Sequence, residues 1–167
     1  RNLLKEYVDG SLLYEVSVLK VWDKAAKDIP GLEKYFAENR MKYKWDTPHV
    51  KGVFVQAAND SVATAIKDLA RGAAEDDIVP ALRKQFKNQM AAERILVPKG
   101  SNAMVDYVAF DGPVAPSSIE KYPVMFMLNK RILTVPEEMQ DVKGLVTSDY
   151  QNMFQEQWEN DLRKKYN

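Results

Sequence analysis

The chain has no cysteine and a single histidine, His49. Without a thiol there can be no disulfide, no thiolate nucleophile and no thiolate metal site, and the redox character of its compartment stays open. A surplus of either charge is missing too: 24 Lys and Arg stand against 24 Asp and Glu. A protein that follows a phosphate backbone needs excess cations, so nucleic acid is not an expected partner. No apolar run reaches the ~18 residues a membrane-spanning helix requires. There is no phosphate loop, no nucleophile elbow and no metal-ligand spacing, so neither a cofactor nor a metal is expected. The chain opens at Arg1 without an initiator Met or a signal peptide, already inside an amphipathic pattern, and the expectation is a piece of a longer protein.

What is present is ordinary for a globular fold. The 167 residues, 46% hydrophobic and 29% charged, suffice for one sizeable core or two small ones. The informative stretch is Asp28 to Gln56, where the period changes. Leu32, Tyr35, Phe36 and Tyr43 recur at helical spacing, with Glu33, Lys34, Glu38 and Lys42 on the other face. After Pro48 the run from His49 to Gln56 is rich in β-branched and aromatic residues and reads as a strand.

Upstream, residues 2–27 form a helical pattern through Leu3, Leu4, Tyr7, Val8, Leu12, Leu13, Val16, Leu19, Val21 and Trp22, with Gly10 as a point of bending or close contact. Asp28 is placed to cap the next helix, with Pro30 in its first turn. Downstream, Asn59, Asp60 and Ser61 offer caps for a helix through Val62, Ile66 and Leu69 that stops at Gly72. A second helix is expected from Asp76 or Asp77, burying Ile78, Val79, Leu82 and Phe86. Arg94–Val97 and Met104–Phe110 read as short strands around a turn at 98–102, and 112–118 as loop. Tyr122–Leu128 is the most apolar run and reads as a central strand.

Thr134-Val-Pro-Glu137 has the form of a capping box, with Glu137, Glu138 and Asp141 in the first turn of a long helix and Arg163, Lys164 and Lys165 in its last. Its apolar residues, Val142, Val146, Tyr150, Phe154, Trp158, Leu162 and Tyr166, recur every fourth position. A step of four overshoots one turn by about 40°, so the stripe drifts roughly 240° along the helix. Two partners are therefore expected to share it, first the strand-helix unit and then the N-terminal helices. Trp22, Trp45 and Trp158 are expected in the core of the helical part. The carboxylate pairs Asp76-Asp77 and Glu137-Glu138 stand where helix N-termini favour negative charge.

Several stretches together resemble the parvulin-containing folding factors of the bacterial cell envelope, the SurA and PrsA type, in particular the long Bacteroidetes versions. They are Leu3–Gly10 with Leu12, Leu13 and Glu15, then Val21–Ala25, Gly31–Asn39 with Tyr43 and Trp45, and Val142–Gln151 with Trp158 and Leu162–Tyr166. The resemblance implies an α+β fold: a helical lobe from 1–46, a parvulin-like α/β domain at 47–133, and a long helix at 134–167 returning to the lobe. It also implies a peptidyl-prolyl isomerase site, a shallow apolar cup with two His on central strands and a nearby Cys or Asp. Twisting an X-Pro amide works against a barrier of about 18–20 kcal/mol, which is why such a site must favour the twisted bond away from water.

This chain departs from that pattern. It has one His, no Cys and no Gly-Gly-x-Leu-Gly-like stretch, and Tyr122-Pro-Val124 stands where the family's last strand reads Gly-Tyr-His. The alignment puts Val53 or Phe54 at the catalytic register, leaving His49 as the residual catalytic candidate. Such a copy would act by binding unfolded or nascent envelope polypeptides in the periplasm, through Phe54, Met104, Phe110, Tyr122, Met125 and Met127. Methionine suits such a surface because its side chain adapts to varied apolar ligands. Two alternatives stay open: a working isomerase using His49 or Tyr122, and a scaffold that only orients an upstream parvulin domain.

Overall fold

The computed structural model describes residues 2–112 and 121–166, with side chains from Glu15 onward. The fold is mixed α+β with helical flanks around a three-stranded antiparallel sheet. The elements are α1 (Asn2–Lys27), α2 (Ile29–Asn39), β1 (His49–Ala57), α3 (Asp60–Arg71), α4 (Glu75–Phe86), β2 (Met90–Pro98), α5 (Ala103–Ala109), β3 (Val124–Leu133) and α6 (Lys143–Tyr166). Two compact units result: Arg1–Lys44 with Val135–Asn167, and Trp45–Thr134.

In the helical unit, α1 is one continuous helix. The side chains of its early stripe, Leu3 to Leu13, lie outside the described residues. Asp28 caps α2 through Gly31 N–H, with Pro30 in the first turn where no N–H is needed. Leu32 and Phe36 of α2 are buried, and so is Tyr43 in the 3-10 turn Arg40–Tyr43. The returning helix starts later than its sequence suggests. Glu138 and Asp141 form the reciprocal cap, and they close a 3-10 turn at Met139–Val142 from which α6 continues. Val142, Val146 and Tyr150 are buried, Phe154, Trp158 and Leu162 half-buried, and Tyr166 exposed. Two helices of this unit share the stripe. Tyr150 meets Tyr35 of α2, with ring centroids 6.0 Å apart, and Trp22 of α1 donates to Gln155 at 2.7 Å.

In the sheet unit the strand order is β2-β1-β3. The central strand is thus β1, and the more apolar β3 lies beside it, which corrects the expectation from apolarity alone. Every residue of β1 after His49 is buried, including Lys51 and Gln56. Residues of odd number in β1 face α3 and α4. There Val53, Val55 and Ala57 join Ile66, Ile78, Leu82 and Phe86 in the main core. Asn59 caps α3 and Gly72 ends it, as the spacing requires. Helix α4 begins at Glu75, so Pro80 falls inside it, beyond the first turn expected for it, and leaves one helical carbonyl without its N–H partner.

Two further expectations are corrected. Met104–Phe110 is not a strand: α5 occupies 103–109, because Asn102 Oδ1 accepts from the N–H groups of Met104 and Val105 and sets a helical cap. Trp45 belongs to the sheet unit and stacks on His49. The expected loop at 112–118 lies, beyond Gly112, outside the described residues.

Candidate functional site

Strand alternation decides which residues meet on the second face of the sheet. Phe54 lies opposite Met127 in β3 and Glu93 in β2, and Gln56 opposite Met125 and Ala91. All of these side chains stand on the side away from α3 and α4. Helix α5 covers this face through Val105, which is buried together with Val50 and Phe54. Ile95, Val97, Met104, Val108, Phe110, Met125 and Met127 pack around them, partly buried. Five of the six residues singled out from the sequence, Phe54, Met104, Phe110, Met125 and Met127, thereby share one apolar cluster.

A seven-residue helix cannot cover three strands, and a groove remains on each side of α5. The one toward β2, about 580 Å³, is lined by Phe54, Gln56, Ile95, Val97, Met104 and Val105, with Arg83, Lys87 and Glu93 at its polar margin. The one toward β3, about 570 Å³, is lined by Tyr107, Val108, Met125, Met127 and Lys130 among others. Helix α5 is held between them by its Asn102 cap and by Asp106, whose carboxylate accepts from Gly100 N–H at 3.0 Å and whose carbonyl accepts from Gly112 N–H.

The remaining sequence candidates stand apart. Tyr122 lies before β3, and its hydroxyl donates to Asn88 O at 2.8 Å. The His49 ring stacks on Trp45 with centroids 3.9 Å apart, and its Nδ1 lies 2.8 Å from Thr47 O. Val124, which the sequence resemblance set at a strand-histidine position, packs against the core on the opposite face. Gln56 is the residue that sequence reading missed: it is buried, it faces the cluster, and its Nε2 lies 3.6 Å from Met104 Sδ. Ile95 and Val97 were missed as well, although their alternation was visible within the predicted short strand.

Two acidic residues at the start of α4 have basic partners. Asp76 accepts from Arg94 at 2.6 Å, and Glu75 takes Arg131 in a two-pronged ion pair at 3.0 and 3.2 Å, which ties the start of α4 to β2 and β3. Among the described residues, no three His, Asp or Glu are grouped to hold a metal ion. The perturbed titrations belong to the helical unit. Tyr150 donates to Asp28 at 2.6 Å; that bond and burial push its phenol up to about 12, while the same bond and Gly31 N–H hold Asp28 below the usual carboxylate range. Burial and a bond to Asp149 push Tyr43 up, and Lys42, paired with the same carboxylate, is also raised. These groups make a polar knot of the helices. The sheet face offers a different chemistry, an apolar cluster around Phe54 and Val105 bordered by polar groups such as Gln56, Arg83, Lys87 and Glu93.

Comparison with protein-family models, with curated proteins and with solved structures finds no match to this chain.

Proposed function

We propose that the protein binds unfolded polypeptide through the α5 face of its sheet, as part of a folding factor of the cell envelope of the parvulin type. The observation that supports this most is the convergence of Phe54, Met104, Phe110, Met125 and Met127 on one incompletely covered face. Methionines contribute to the lining of both grooves, Met104 to one and Met125 and Met127 to the other, and their unbranched side chains can refit to different apolar clients. An extended segment laid beside α5 would cover Met and Ile surface that water now touches, and hydrophobic burial of this kind requires no cofactor. On this reading the work is binding rather than bond rotation. The aligned catalytic register falls on Val53 or Phe54, the latter opposite Met127, and none of these side chains can donate or accept a proton.

The test is suppression of aggregation of a chemically unfolded client at near-stoichiometric protein. Protection is expected, and Met104→Gln, which keeps chain length and helix propensity, should weaken client binding at least about fivefold. Absence of protection would sink the proposal. Turnover of short X-Pro peptides that disappears in Gln56→Ala would replace it with an isomerase.

A further inference from the structure

The groove along β2 is not uniform from end to end. Its far half is apolar, through Ile95, Val97 and Met104, Glu93 stands opposite Phe54 nearer the middle, and Arg83 and Lys87 stand at the end where β2 begins. Arg83 donates to Ala92 O at 3.2 Å, which fixes its guanidinium over the strand without neutralising it. Among the described residues no carboxylate pairs with Lys87, which is exposed. Its backbone is unusual: Lys87 closes α4 at φ 44 and ψ −109, a conformation that is ordinary for glycine and strained for a residue with a β-carbon. A strained lysine at a groove mouth is a reason to ask what its charge is for. Among the described residues Glu93 is the one carboxylate of this groove's lining, so the balance of charge they give the margin is positive.

We infer that this groove selects among extended apolar segments and prefers those flanked by an Asp or Glu side chain. Nine-residue β2 offers a track of about 30 Å at ~3.3 Å per residue, long enough for an apolar stretch over Ile95 and Val97 with its acidic neighbour beside Arg83 and Lys87. A side chain is the source to expect rather than a chain terminus, because an unfolded client offers many internal acidic residues and one C-terminus. The inference rests on the reading of the α5 face as a client surface, and it adds the chemistry that decides between clients.

The experiment uses the full chain and two fluorescent peptides with one common apolar stretch, flanked by Asp in one and by Lys in the other, read by anisotropy. The Asp peptide should bind about fivefold tighter at low salt, with the difference collapsing at high salt as surface charges are screened. Lys87→Gly removes the charge and relieves the positive φ, so it should fold at least as well and lose the preference. Lys87→Glu should reverse it, and Glu93→Gln should enlarge it. Equal affinity for the two peptides, or a preference unchanged in Lys87→Gly, would overturn the inference and leave the apolar face intact as a binding surface. Failure of both peptides to bind would overturn both.

Discussion

At the scale of single residues, the clearest commitments lie in the helical unit. Gly31 sits in the first turn of α2, where alanine would ordinarily add ~1 kcal/mol of helix propensity. Here a β-carbon would lie 2.2 Å from Asp28 Oδ2 and 2.3 Å from the Tyr150 hydroxyl, so steric conflict outweighs propensity. Gly31→Ala should therefore destabilise by about 1–3 kcal/mol, the range for overpacking. The penalty should shrink in a Tyr150→Phe background, a coupling that a double-mutant cycle of urea melts would read. The Asp28–Tyr150 bond also sets a pH signature. Asp28 is held below its ordinary 3.8, so its contribution is present above that pH and lost as pH falls through its lowered value. Tyr150 is raised from 10.0 to about 12, so the contribution of its protonated phenol is intact below pH 10 and fades as pH climbs toward 12. The stability difference between the native chain and Tyr150→Phe should form a plateau across neutral pH and shrink on both limbs. A difference that stays flat to the alkaline limit would contradict the assigned bond.

At the scale of elements, the join of β1 and β3 depends on one glycine. Asn129 takes φ 53 and adds an extra residue to β3, so that Lys51 pairs with Arg131 but Val53 with Leu128. This bulge brings Leu128 O to 2.7 Å from where a Gly52 β-carbon would stand. Gly52→Ala should cost about 2–3 kcal/mol, and its hydrogen exchange should quicken in β3 more than in β2. The clamp on α4 is a milder case: Glu75→Gln should cost about 1 kcal/mol, because Arg131 keeps its carbonyl bond to Asn129 but loses the carboxylate. These elements were not equally legible in the sequence. Caps such as Asp28 and Asn59 act within three residues, and they could be read directly. The helix at 103–109 could not be told from a strand by its valines and aromatics, although Asn102 ahead of it carried the deciding signal. Likewise the centre of the sheet could not be read from apolarity, since β1 buries Lys51 and Gln56 and owes its place to pairing on both edges. The Met residues of the candidate site were legible as a composition, but their meeting on one face followed only from register, and Gln56 looked like any polar residue until that register was known.

At the scale of the whole molecule, the connectivity is that of an insertion. The helical unit takes its helices from both ends of the chain, α1 and α2 from one and α6 from the other, and the sheet unit is the single segment between Lys44 and Val135. At the mouth of that segment Trp45 N–H donates to Thr134 O at 2.8 Å, which brings the two ends of the insertion together. A segment that closes on itself and owns a core from Val53 to Ala92 meets the conditions for folding alone. At roughly 90 residues it also exceeds the ~40 below which staples are usually needed. The fragment 45–134 should thus melt cooperatively, give dispersed amide signals and retain the binding assigned to the α5 face. The reverse deletion should behave differently. A chain ending at 134 removes Tyr150 from Asp28 and Gln155 from Trp22, so α1 and α2 lose their polar partners together while the sheet unit keeps every described contact of its own. Circular dichroism of that truncation should show helix lost in excess of α6 itself, with the amide signals of β1 to β3 unchanged. If the isolated segment is unfolded instead, the sheet unit depends on the helices for its stability. Client binding would then be a property of the entire chain, and the apolar face could not be treated as a module.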